Sequence, residues 1–139
     1  MTDYSVVILS FFVAGTPGVI WKATKIAECT LLPLPTVSKI LKLLSKGGIL
    51  ESHRGVQGGY SMSRYADDIT VADIVRSIDG PVALTECVDV EESGCAVESL
   101  CPMRGGWDKL NSKINKVLES VNLREIAAPV DFINGYDDK

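Results

Sequence analysis

Histidine occurs once in the 139 residues, at His53, and no glycine-rich nucleotide loop or paired-carboxylate pattern accompanies it. A cysteine or serine nucleophile would have no convincing base, so the chain does not read as an enzyme. Long apolar runs are also missing. The longest, Val6 to Ala14, is too short to cross a bilayer, and it follows Asp3 rather than the basic stretch of a secretory signal. The expectation is a cytoplasmic protein with no membrane role, whose four cysteines serve metal or thiol chemistry rather than disulfides. Cys-x-x-Cys pairs are absent, which weighs against an ordinary zinc site. Internal repeats and low-complexity tracts are lacking as well. Basic charge is not in excess overall, because the formal net charge is -4.

That charge is strongly segregated. Ile20 to Tyr65 holds seven basic residues (Lys22, Lys25, Lys39, Lys42, Lys46, Arg54, Arg64) against Glu28 and Glu51, a net of +5 that suits neutralising phosphates. Ala66 to Cys101 holds nine acidic residues against Arg76 alone, a net of -8, and should face away from a polyanion.

Apolar spacing predicts an apolar helix over Asp3 to Val13 and a short strand over Val19 to Trp21. A second helix is expected from Ala23 to Thr30 and a third from Pro35, as first helical residue, to Lys46, where Gly47-Gly48 stops it. Two short helices joined by the tight turn Leu31 to Leu34 make a helix-turn-helix. Ile49 to Arg54 and Tyr60 to Arg64 flank a glycine-rich tip and read as a hairpin wing, with Tyr60 anchoring it to the body. Thr70 caps a helix over Val71 to Ile78. A long helix follows from about Met103 to Val121, whose Trp107, Leu110, Ile114, Val117, Leu118 and Val121 form an apolar stripe that wants a partner. A short helix over Leu123 to Ala127 ends at Pro129.

Between these parts lie Cys87, Cys95 and Cys101, separated by seven and five residues. Thiolates are soft ligands that suit iron-sulfur clusters or zinc, and the long spacers fit a loop wrapped round a cluster better than a compact zinc site. A structural zinc or a thiol-disulfide switch remains the alternative. Cys29 reads more readily as a small core residue.

Three segments carry a family resemblance: Leu34-Pro35-Thr36-Val37-Ser38-Lys39, His53-Arg54-Gly55-Val56-Gln57-Gly58-Gly59-Tyr60, and the triple cysteine. Together they resemble the IscR-like transcription regulators, the Rrf-two family, from Thr2 to about Ala128. Ala83 to Cys87 and Cys101 to Gly105 are most similar to the branch that controls SUF iron-sulfur assembly genes. Members usually carry a few residues before the position of Thr2, so this amino terminus reads as abbreviated.

The resemblance implies a mainly α fold with a small β-wing: a winged helix-turn-helix plus a long dimerisation helix. Residues 1–80 would form the DNA-binding domain, 81–102 the cluster-binding loop, 103–128 the dimerisation and C-terminal helices, and 129–139 a flexible tail. It further implies a homodimer on a palindromic double-stranded operator, with one 2Fe-2S cluster per subunit supplied by the iron-sulfur assembly machinery. Three ligands would be Cys87, Cys95 and Cys101. In the best-known branch a histidine three residues after the last cysteine is the fourth, but Arg104 stands there. Relatives can draw a ligand from the first helix of the other subunit, which makes Asp3 of the partner subunit a candidate; Asp89, Glu98 or an exogenous ligand stay open.

DNA would be read by Thr36, Ser38, Lys39 and Lys42 at the start of the recognition helix, and by Arg54 with His53 and Gln57 on the wing. The alternative for the helix is that Ser38 faces the core and both lysines touch only phosphate. The sequence thus predicts a cluster-sensing regulator, with a cluster-free winged-helix repressor as the rival.

Overall fold

A computed structural model of the chain describes residues 1–15, 18–82 and 104–127. In chain order the described elements are α1 (Thr2–Ala14), α2 (Ala23–Thr30), α3 (Leu34–Lys46), β1 (Leu50–His53), β2 (Gly59–Met62), a 3-10 turn (Ala66–Asp68), α4 (Val71–Asp79), α5 (Arg104–Ser120) and α6 (Leu123–Ile126). The architecture is mainly α with one antiparallel β-hairpin, the winged helix-turn-helix that the sequence predicts.

The core is built where helical spacing lines up apolar side chains. On α3, Val37, Ile40, Leu41 and Leu44 are completely buried, joined by Ile8 and Leu9 of α1, Ile26 of α2, Ile49, Ile69, Ile74 of α4 and Leu123 of α6. Each such side chain stabilises the fold by about 2 kcal/mol before ordering costs. Ser5 and Ser10 are also buried on α1. Their hydroxyls donate to the carbonyls of Thr2 and Val7, three residues back, so neither hydroxyl is stranded. The helix is not sealed all round, because Tyr4 and Val7 stay exposed.

The third helix begins one residue earlier than expected, at Leu34, so Pro35 is its second residue; proline is tolerated there because first-turn N–H groups have no intrahelical acceptor. Nor does the strand expected over Val19 to Trp21 form. Only Trp21 pairs, exchanging N–H to carbonyl bonds of 2.8 and 2.9 Å with Tyr60. That single bridge ties the wing to the helical body and realises the anchoring role expected at Tyr60.

α4 starts with a reciprocal capping box, in which Thr70 Oγ1 accepts from the Asp73 N–H and Asp73 accepts from the Thr70 N–H. The end of α5 is stapled to the start of α4: the Val71 N–H donates to Val121 O at 2.9 Å and the Leu123 N–H to Ile69 O at 2.7 Å. Farther along, Arg76 reaches Glu119 at 2.9 Å. Asn111 and Asn115 on α5 both donate through Nδ2 to the carbonyl of Val82, at 3.0 and 3.4 Å. The chain leaving α4 is thereby pinned against α5.

Candidate nucleic-acid interface

The turn between α2 and α3 sets the geometry of α3. Leu31 ends α2 in the left-handed region, φ 57° and ψ 20°, with its side chain 90 % exposed. Thr30 Oγ1 donates back to Ile26 O at 2.7 Å and accepts from the Leu32 N–H at 3.4 Å, which tightens the corner. Once the corner is made, the core drives one face of α3 inward and leaves the opposite face to solvent.

That outer face carries Pro35, Lys39, Lys42 and Lys46, all exposed. Successive helical residues turn by about 100°, so these four positions fall within about 60° of one another around the axis. They line a shallow hollow of about 440 Å³ together with Ser38 and Leu43. Lys39 and Lys42, both expected to read DNA, thus lie on the solvent-facing side of α3. Thr36 and Ser38 are half-buried at the flanks of the stripe, and Ser38 opens onto the hollow. Pro35 and Lys46 were not among the residues expected at DNA, although the spacing 35, 39, 42, 46 sets them on the same face of α3.

The wing is the antiparallel pair β1 and β2, with Leu50 opposite Met62 and His53 opposite Gly59. Arg54, Gly55, Val56 and Gln57 stand exposed at its tip. Gly55 has φ 100°, which favours glycine, and the Gly58 N–H closes the turn onto Gly55 O at 2.9 Å. A Cβ on Gly58 would lie 2.5 Å from His53 O, and one on Gly59 2.5 Å from Trp21 O. Backbone approach thus dictates both glycines. His53 is half-buried, with Nε2 2.7 Å from Oγ of the buried Ser61, so its ring braces the hairpin while Arg54 and Gln57 are left outward.

Among the described acidic residues, Asp73 pairs with Arg64 at 3.4 Å, Asp67 with Arg124 at 2.9 Å, and Asp79 accepts from Thr2 Oγ1 at 2.6 Å.

The candidate metal ligands Cys87, Cys95 and Cys101, with Asp89 and Glu98, lie outside the described residues. Among the described residues no group of three His, Cys, Asp or Glu is gathered closely enough to hold a metal ion. Asp3 is exposed at the start of α1, 3.1 Å from the amino-terminal nitrogen of Met1. Hydrogen bonds from that ammonium and from the Tyr4 N–H hold its carboxyl below the usual aspartate range, so it is an ionised oxygen donor at neutral pH. Cys29 is half-buried on α2.

A family model described as an iron-dependent transcriptional regulator, Rrf2, matches residues 1–129. The chain belongs to the Rrf2 family. Among relatives, the HTH-type transcriptional regulator NsrR of Bacillus subtilis (strain 168) is 26 % identical over 90 % of this chain and 86 % of its own length. The HTH-type transcriptional regulator IscR of Xenorhabdus nematophila is 32 % identical over 81 % of this chain and 67 % of that protein. The solved structure of CymR, the global cysteine regulator of B. subtilis, shares the fold with a TM-score of 0.64 at 24 % identity, covering 94 % of this chain and 95 % of CymR. This Rrf2 protein is accordingly a DNA-binding transcriptional regulator and not an enzyme. No described helix is long and apolar enough to cross a membrane.

Proposed function

We propose that this Rrf2 protein senses an iron-sulfur cluster and regulates iron-sulfur assembly genes of the SUF type, binding a palindromic operator as a homodimer. The observation that carries the reading is an exposed lysine stripe and a glycine-built arginine wing in a chain that also holds three cysteines within residues 83–103. The iron-dependence in the description of its family supports the cluster part.

In this reading Lys39 and Lys42, with Thr36 and Ser38 beside them, meet the major groove. Arg54 enters the minor groove from the wing, and Gln57 touches the backbone. His53 contributes mainly by bracing the hairpin through Ser61. Cys87, Cys95 and Cys101 supply three thiolates to a 2Fe-2S cluster delivered by the assembly machinery, and Asp3 of the partner subunit supplies the fourth ligand. The exposure and ionised state of the Asp3 carboxylate fit that role. When bound, such a cluster supplies a redox-active centre whose charge or loss can be sensed. Asn111 and Asn115 hold the root of the cysteine segment at Val82, so the state of that segment acts on α5, the helix offered for dimerisation.

Anaerobic purification with iron and sulfide counts tests this directly. The expected result is visible bands between roughly 400 and 600 nm with about two irons and two sulfides per chain. Stoichiometric zinc in a colourless protein would leave a cluster-free regulator whose cysteines are structural or thiol-responsive. Equal operator affinity of the cluster-loaded and cluster-free forms would reject the sensing step.

A further inference from the structure

We propose that Pro35 reads a thymine 5-methyl group in each operator half-site, so that α3 selects its site partly by an apolar contact. The inference rests on the reading of α3 as the helix that enters the major groove and names a specificity residue within it.

Three observations converge. First, Pro35 is exposed and heads the outward stripe of α3, on the same line as Lys39, Lys42 and Lys46 and along the same hollow. A recognition helix brings its amino-terminal turn closest to base edges, so the member nearest the bases is a hydrocarbon ring and the cations follow one turn and more behind. Second, the proline has no N–H. Pro33, at the N-cap position, has none either and gives no side-chain cap, while the Val37 N–H is used in the first intrahelical bond, to Pro33 O at 3.1 Å. Two of the donors with which a helix start commonly grips a phosphate are therefore removed. Third, exposed Leu34 stands beside the proline at the first turn.

Such a surface meets most base edges badly. In the major groove guanine, adenine and cytosine present polar acceptors or donors, and a proline ring pressed against them would strip their water and return no hydrogen bond. Thymine alone of the four also presents a methyl group, which gains by leaving water. The lysines behind the ring match the phosphates on charge, so Pro35 contributes selectivity and the stripe contributes affinity.

The test uses the full-length protein and the duplex it enriches most strongly from a random library. That duplex is resynthesised with deoxyuridine replacing each thymidine in turn, which removes only the 5-methyl group. One thymine per half-site should weaken binding about fourfold when replaced. Pro35→Ser, which restores a donor at an exposed position that accepts serine, should bind the thymine and uracil duplexes alike, with its circular dichroism unchanged. Leu34→Ser should reduce the difference less than Pro35→Ser does. Enrichment of a sequence with no uracil-sensitive thymine, or a thymine preference that survives in Pro35→Ser, would overturn the role of the proline. Failure to enrich any sequence would instead overturn the placement of α3 at the bases, and the two failures are distinguishable from the enrichment step alone.

Discussion

The third and fifth helices are built on the same spacing rule and end in opposite situations. On α3 every core-facing residue, Val37, Ile40, Leu41 and Leu44, is sealed, and what remains exposed is Leu34, a proline and three lysines. On α5 the apolar stripe is only partly covered. Trp107, Ile114 and Leu118 are half-buried, while Leu110 is 44 % and Val117 63 % exposed. A helix whose apolar face is complete meets its ligand through charge; one whose apolar face is unfinished meets its partner through hydrophobic burial. The first surface should respond steeply to salt, and the second should respond to protein concentration.

The largest way to break this contrast is at the wing. Arg54→Ala should weaken operator binding roughly a hundredfold in a gel-shift titration while the dimer sediments unchanged. Conversely, Leu110→Asp with Val117→Asp should raise the dimer dissociation constant roughly thirtyfold by sedimentation equilibrium, with helix content retained because both positions are exposed in the single chain. Lys39→Gln with Lys42→Gln should cut binding about tenfold at moderate salt. It should also flatten the plot of log affinity against log salt by about two units, one per lost phosphate contact; an unchanged slope would mean that neither lysine reaches a phosphate. The smallest effect lies at the corner between α2 and α3. Leu31→Gly should stabilise the fold by about 1 kcal/mol and raise Tm by about 3 °C, because the left-handed backbone is relieved and almost no buried surface is lost.

Helix positions were legible in the sequence where one face had to be buried. The four core residues of α3, the Thr70 cap and the glycine tip of the wing all follow from local patterns that the tertiary structure reinforces. The strand over Val19 to Trp21 was over-read because β-branched residues favour strands only when a neighbour pairs with them, and here Tyr60 pairs with Trp21 alone. The seat of His53 was not legible, since a histidine on a glycine-rich wing carries no sign that Ser61 lies 2.7 Å from its ring. Nor could Asn111 and Asn115 be singled out, because the acceptor they share is a main-chain carbonyl about thirty residues away in sequence. Pro35 was legible as a helix starter and overlooked as a surface, its local role having concealed its outward one.

The asparagine pair on α5 has a thermodynamic consequence. Val82 is moored to the middle of α5, and Arg104 opens that same helix, so the two residues that bracket 83–103 are both fastened to one rigid rod. The entropy of drawing those two residues together is already spent when α4 packs on α5. A ligand gripped by the span need not repeat that expense, and its retention becomes coupled by mass action to the integrity of the α4 and α5 contact. Loosening the rod, even at a residue remote from any cysteine, should therefore release whatever the span holds.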